Sequence, residues 1–224
     1  METIESLPLF PLADVVLLPE VSVPLILFEP RYRQLARDVL AGERLIGMIA
    51  VPPEHVGEMP GDPPLFEIGC VGRITQGRRR RDGTFQILLV GLSRFRILQE
   101  APRPEDRLYR SARVEILSDE LPTDPNTLAT LEERRRVVLR LLERLVRNLD
   151  RSELGRRALS AFEDIDPIRL VNTLTQSIGL RPIERQRLLE TDSILGRFEI
   201  MADLLRFRLA EVASGAPDSG PLPH

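Results

Sequence analysis

Two histidines, His55 and His224, and one cysteine, Cys70, are the scarce reactive side chains of this 224-residue chain, whose 31 basic residues are all arginine. Without lysine it can build no P-loop, no Schiff base and no Ser-Lys dyad. Any acid/base, triad or metal site would have to form around His55, which sits in a proline-rich stretch and reads as an exposed loop histidine. Cys70 excludes an internal disulfide and a multi-cysteine zinc site. It reads as a small core hydrophobe in a reducing compartment. Gly91-Leu92-Ser93 starts like a nucleophile elbow, but the second glycine is missing and the segment joins two expected strands, so a structural turn is expected. Gly69-Cys70-Val71-Gly72 lacks phosphate-loop spacing, and its glycines point to close strand packing or a bulge. The 34 acidic residues show neither EF-hand nor H-E-x-x-H spacing. No catalytic residue, metal or cofactor is expected.

The most concentrated chemistry is Arg78-Arg79-Arg80-Arg81. Guanidinium forks grip anions bidentately, so the run could contact phosphate or an acidic partner. The plainer and favoured reading is a solvated hairpin tip whose charges discourage edge-to-edge association. Arg134-Arg135-Arg136 reads as a solvated helix face or an interdomain contact, with Arg135 placed on the apolar seam to reach a carboxylate. Net charge is −3 and neither half of the chain is basic: residues 1–115 hold 15 arginines against 16 acids, residues 116–224 hold 16 against 18. With no tryptophan, two tyrosines and eight phenylalanines, little is available to stack on bases. Nucleic-acid binding is therefore not favoured.

The elements that must position these residues fall into two blocks. Residues 15–18, 21–28 and 45–51 are apolar, short and bounded by breakers, as buried strands are. Between the last two, Tyr32, Leu35, Ala36, Val39 and Leu40 repeat at helical spacing over residues 30–41, with Pro30 at the start and Gly42 at the stop. The proline-rich residues 52–64 read as a loop or flap. Strands are then expected from 66 to 76, 84 to 90, 94 to 98 and 109 to 117, with Asp82-Gly83 turning the first hairpin. Some seven strands around one helix imply a small closed or nearly closed barrel over residues 1–117.

From residue 123 the period becomes helical. Asp124-Pro125 caps a long amphipathic helix carrying Leu128, Leu131, Val138, Leu142, Leu145 and Leu149 on one face. Further helices are expected from Asp150 to Phe162, from Asp166-Pro167 to about Gly179, from Pro182, and from Asp192 or Ser193 through Val212. The bundle spans 123–213, and residues 214–224 have the composition of a disordered tail. The N-terminus is not a signal peptide and no apolar run approaches the length of a membrane span. A cytoplasmic location without membrane contact is expected.

The chain resembles the N-terminal substrate-binding domain of the Lon protease family. The resemblance rests on Leu7-Pro8-Leu9-Phe10-Pro11-Leu12, Asp14-Val15-Val16-Leu17-Leu18-Pro19, Pro24-Leu25, Phe28-Glu29 and Arg31-Tyr32. Gly69-Cys70-Val71-Gly72-Arg73-Ile74, Asp82-Gly83-Thr84 and Val90-Gly91-Leu92-Ser93-Arg94-Phe95-Arg96 extend it. Gln186-Arg187-Leu188-Leu189-Glu190 and Arg197 are similar with less specificity. Glu20 stands where the family often has glycine.

The resemblance implies an α+β chain, a PUA-like β pseudo-barrel with one embedded helix followed by a C-terminal α-helical bundle. It implies a free-standing, non-catalytic module that binds unfolded or partner polypeptides, with any proteolysis supplied by a partner such as an ATP-dependent protease. Extended peptides would add to a free strand edge or lie in an apolar groove between barrel and bundle. The expected binding residues are Phe28, Glu29, Arg31 and Tyr32, with Glu29 and Arg31 meeting backbone or charged groups and Phe28 and Tyr32 meeting apolar side chains. The alternative is RNA binding through the Arg78–Arg81 hairpin.

Overall fold

The computed structural model describes residues 2–149, 162 and 164–214. The chain divides into two compact units, residues 1–118 and 119–224, each considered by itself.

The first unit contains β1 (Thr3–Leu12), β2 (Ser22–Leu27), α1 (Pro30–Ala41), β3 (Leu45–Ala50), β4 (Ile68–Arg79), β5 (Phe85–Glu100) and β6 (Ser111–Leu117), with a 3₁₀ turn over Pro53–Glu58. The sheet order is β2-β5-β4-β3-β1-β6, and β6 also pairs with β5. Only β1–β3 is parallel. The ladder β5-β4-β3-β1-β6 thus returns to β5, while β2 hangs on the first half of β5 with no second partner among the described residues. Inward side chains from five strands, among them Leu7, Leu9, Ile49, Val71, Phe95 and Val114, form one core cluster. Buried Tyr32, Leu35, Ala36 and Val39 give α1 its inner face.

Three of the expected strands, 15–18, 84–90 and 94–98, are not separate strands in the structure. Residues 15–18 are not a strand, although Val16, Leu17 and Leu18 are buried. The strand is instead β1, whose Pro8 and Pro11 disguise it. Pro8 pairs with Ser111 of β6 but has no β3 partner, and Pro11 pairs with Ile49 of β3 but has no β6 partner, so each proline sits where one flank of the ladder is missing. The expected strands 84–90 and 94–98 are one element, β5, without the turn expected at Gly91-Leu92-Ser93. Its pairing with β4 shifts register opposite Val71 and Gly72, with Leu92 the extra residue, and a Cβ on Gly69 or Gly72 would stand under 3 Å from neighbouring atoms, so the glycines expected to mark close packing or a bulge sit where both occur.

Gly91 fixes the chain before β2. A Cβ on it would stand 2.0 Å from the Leu18 carbonyl oxygen. The Glu20 N–H donates to the Gly91 carbonyl at 2.9 Å, and the Gly91 N–H donates to the Val21 carbonyl at 2.9 Å. Closing this turn puts Glu20 at φ 62, in the left-handed region that favours glycine. The departure from the family pattern at this position therefore carries backbone strain.

In the second unit, α2 (Pro125–Leu149), α3 (Pro167–Ser177), α4 (Pro182–Glu190) and α5 (Ile194–Ser214) share a core that includes Leu131, Val138, Leu142, Leu170, Leu174, Leu188, Phe198, Met201 and Leu205. Asp124 accepts the Thr127 N–H at 2.8 Å, and Asp166 accepts the Ile168 N–H at 2.9 Å, so the Asp-Pro signals do open α2 and α3. The helix expected over 150–162 lies, except for Phe162, outside the described residues, as does the tail beyond Ser214. Arg135 donates to the Ile165 carbonyl at 3.1 Å and pairs with Glu132 of its own helix at 3.5 Å. Arg197 is 2% exposed and makes a two-pronged ion pair with Asp119 at 2.9 and 2.6 Å, while its Nε donates to the Thr191 carbonyl at 2.7 Å. No described helix is long and apolar enough to cross a membrane.

Asp119→Ala leaves the Arg197 charge buried and unpaired, and should lower the unfolding free energy by about 3–5 kcal/mol in urea melts.

Candidate functional site

Side chains alternate along β2. Val23 and Leu27 turn inward and are buried, while Ser22, Pro24 and Ile26 turn outward. Phe28 continues the outward series just past the strand. Ile26 is 49% exposed and Phe28 66%, against the usual expectation that large apolar residues beside a strand are core.

The next four residues turn the chain into α1 and grip their surroundings. The Arg31 Nε donates to the Glu29 carboxylate at 2.9 Å, its Nη1 to the Gly61 carbonyl at 3.0 Å and its Nη2 to the Met59 carbonyl at 2.6 Å. The guanidinium also lies 4.6 Å from the centre of the Tyr32 ring. Tyr32 is buried, meets Phe10 edge-on at 4.5 Å and donates its hydroxyl to the Pro11 carbonyl at 3.0 Å. Burial pushes its pKa up to about 12, with Arg31 opposing. The four expected site residues are therefore together but differently placed. Phe28 faces out, Glu29 is half-buried, Arg31 is engaged with its own chain and Tyr32 is a core residue.

The proline-rich segment is tied down rather than loose. Besides Arg31, Arg110 donates to the Pro63 carbonyl at 2.6 Å while pairing with Glu100, and Arg103 pairs with Asp62 at 2.6 Å. The His55 ring meets the Glu58 carboxylate at 2.9 Å.

The arginine run forms the tip of the β4–β5 hairpin. Arg78 and Arg79 end β4, Arg80 and Arg81 enter the turn, and Gly83 closes it at φ 83. The Arg33 guanidinium from α1 occupies the space a Cβ on Gly83 would need. Asp82, the carboxylate of the turn, accepts the Thr84 N–H at 3.0 Å and its hydroxyl at 2.7 Å, bonds that hold the carboxyl below its usual pKa. Arg80 reaches back to donate to the Gln86 side chain at 3.2 Å. The hairpin and the corner are neighbours, since Ile26 pairs with Gln86 and Gln86 with Arg78.

A shallow cavity of about 200 Å³ opens elsewhere on this unit, lined in part by Asp38, Glu43, Arg44 and Tyr109. Tyr109 donates to Asp38 at 3.0 Å, and burial with this bond raises its pKa. Both carboxylates are exposed, and no histidine or cysteine joins them. Among the described residues no cluster of His, Cys, Asp or Glu could hold a metal.

Sequence reasoning passed over Ile26, Arg33 and the loop-clamping Arg103 and Arg110. The alternation of Ile26 with Leu25 and Leu27 in an all-apolar run gave no sign of which face was wet. Pro24 was the available signal, because proline inside a strand marks an edge.

Residues 6–206 match the family model described as the ATP-dependent protease La (LON) substrate-binding domain. The chain belongs to this family. Lon protease 2 of Desulfotalea psychrophila is 26% identical over 208 residues, covering 92% of this chain and 26% of its own length. Lon protease 2 of Syntrophobacter fumaroxidans is 30% identical over 187 residues, covering 83% and 22%. The chain thus spans about a quarter of the length of these relatives. The N-terminal domain of Mycobacterium avium complex Lon protease shares the fold at a TM-score of 0.65 and 20% identity, over 90% of this chain and 98% of that one. A Lon N-terminal domain protein from Xanthomonas campestris superposes at 0.57 with 25% identity, over 91% and 99%.

Arg31→Ala should leave the Met59 and Gly61 carbonyls without their donor and speed hydrogen exchange and proteolytic nicking across residues 52–64. Tyr32 keeps its proton in the folded chain to about pH 12 but loses it near 10.0 when unfolded, so stability present below pH 10.0 should fall as pH rises through that window. Tyrosinate absorbance of the folded chain should accordingly lag behind that of the unfolded chain.

Proposed function

We propose that this chain is a non-catalytic polypeptide-recognition module: a PUA-like β pseudo-barrel over residues 1–117, carrying one embedded helix, followed by a helical bundle over 123–213. It acts in the cytoplasm, holding unfolded or partner polypeptides for an ATP-dependent protease of the Lon type. Membership of the substrate-binding family supports this reading, and so does the strand ladder that closes on β5. The observation that carries it is the corner after β2, where Ile26 and Phe28 stand exposed beside a strand with one partner among the described residues. Exposed apolar side chains in such a place mark a docking surface. Phe28 supplies apolar contact and Glu29 a polar one, while Arg31 and Tyr32 hold the corner that presents them. RNA binding through Arg78–Arg81 is not favoured, since the net charge is −3 and aromatic residues are few.

Titrating one test protein in unfolded and native forms against this chain checks the reading. Binding of the unfolded form alone is expected, weakened about tenfold by Phe28→Asp, as for one interface anchor. Equal and negligible binding of both forms overturns it. Phe28 is exposed, so the variant should melt with the parent.

A further inference from the structure

The Thr84 carbonyl accepts the Arg80 N–H at 2.8 Å, so the even-numbered residues at the start of β5 turn their backbone groups toward β4. The odd-numbered ones, Phe85, Ile87 and Leu89, turn theirs toward β2, where they pair with Leu27, Leu25 and Val23. By the same alternation Ser22, Pro24 and Ile26 direct their backbone groups to the free edge. Pro24 has no N–H to offer there, which limits uncontrolled pairing without removing the acceptors or the Ile26 donor.

The outer face of this ribbon is graded. One row across the strands is Pro24, Leu88 and Gln76, the next Ile26, Gln86 and Arg78. The bond between Thr84 and Arg80 then sets Arg80 in the row beyond, level with Phe28. Neighbouring strands lie about 5 Å apart, so the Arg80 guanidinium, laid on Gln86, sits over β5 within about one strand spacing of β2. The tip has a surplus of positive charge. Arg33 packs on Gly83, the Asp82 carboxylate is taken by Thr84, and Arg78, Arg79 and Arg81 have no ion-pair partner among the described residues.

We propose that the free edge of β2 is a strand-pairing site for an extended polypeptide segment whose side chains on one face, two residues apart, are apolar beside Pro24 and Ile26 and acidic beside Phe28 and the arginine tip. This rests on the polypeptide-binding reading and adds to it a backbone geometry and a charge preference. Apolar side chains on the added strand pack beside Pro24 and Ile26. Charge attraction within a Debye length draws the acidic end toward Arg78 and Arg80.

The test uses the full chain and synthetic peptides with Leu at two alternate positions and Glu at the next two, made in both chain directions, with Lys replacing Glu in a second set. One Glu direction should bind at least fivefold tighter than its Lys counterpart at low salt. That preference should shrink in high salt and in Arg78→Ser/Arg80→Ser. N-methylation of alternate peptide nitrogens, which leaves this protein untouched, should abolish binding, as should Ile26→Pro. If the unfolded test protein binds while N-methylation and charge reversal change nothing, edge pairing falls and the broader reading stands. If neither ligand binds, both fall. A dimer at micromolar concentration that Ile26→Pro dissolves would assign the edge to a second copy of this chain and overturn the proposal.

Discussion

The first unit depends on β5 serving three partners. Its early residues pair with β2 on one side and β4 on the other, and its late residues pair with β4 and β6. A single flat strand cannot face three neighbours, so it must bend, and the bend falls at Gly91 where the Leu18 carbonyl presses in. The register shift opposite Val71 and Gly72 puts the extra residue, Leu92, on β5 itself beside that bend. The consequence is that β6 closes the ladder at one end of β5 while β2 is left with an open edge at the other. Closure removes edges, and the one that survives is therefore informative.

That open edge is held in shape from behind. Tyr32 and Arg31 adjoin Phe28 in sequence and look in the opposite direction, Tyr32 into the core and Arg31 into the proline-rich segment. The Glu29 carboxylate completes the Arg31 fork. A surface side chain binds well only when its backbone is already fixed, because ordering costs otherwise come out of affinity. Neighbouring residues thus divide the labour, one exposing apolar surface and two fixing the turn that exposes it.

The helices were largely legible because their signals are local. Pro30 and Gly42 bracket α1, and Asp124-Pro125 and Asp166-Pro167 open α2 and α3. Strands depend on partners far along the chain, so Pro8 and Pro11 hid β1, and Val16-Leu17-Leu18 imitated a strand while burying as irregular backbone. The corner after β2 could be located from residues 28–32, but its inside and outside could not be told apart. Phe28 and Tyr32 are both large aromatics at a strand–helix junction, and only tertiary packing leaves one 66% exposed and the other 3%.

Five of the 31 arginines, read from sequence as charge, act through geometry. Arg31, Arg110, Arg135, Arg197 and Arg208 each donate to the carbonyl of a residue in a loop or between elements: Met59 and Gly61, Pro63, Ile165, Thr191 and Gly179. In each case another nitrogen of the same guanidinium pairs with a carboxylate. A planar fork with five donors can hold a carbonyl and a carboxylate at once, which a compact ammonium on a flexible stem does less well. The absence of lysine is therefore no loss to this fold. It also separates two populations of arginine. Those that clamp irregular backbone to a carboxylate are occupied by the structure they hold. Among the described residues Arg78, Arg79 and Arg81 hold no loop carbonyl and stand exposed on the hairpin tip, near β2, the strand of this unit with a single partner among those residues.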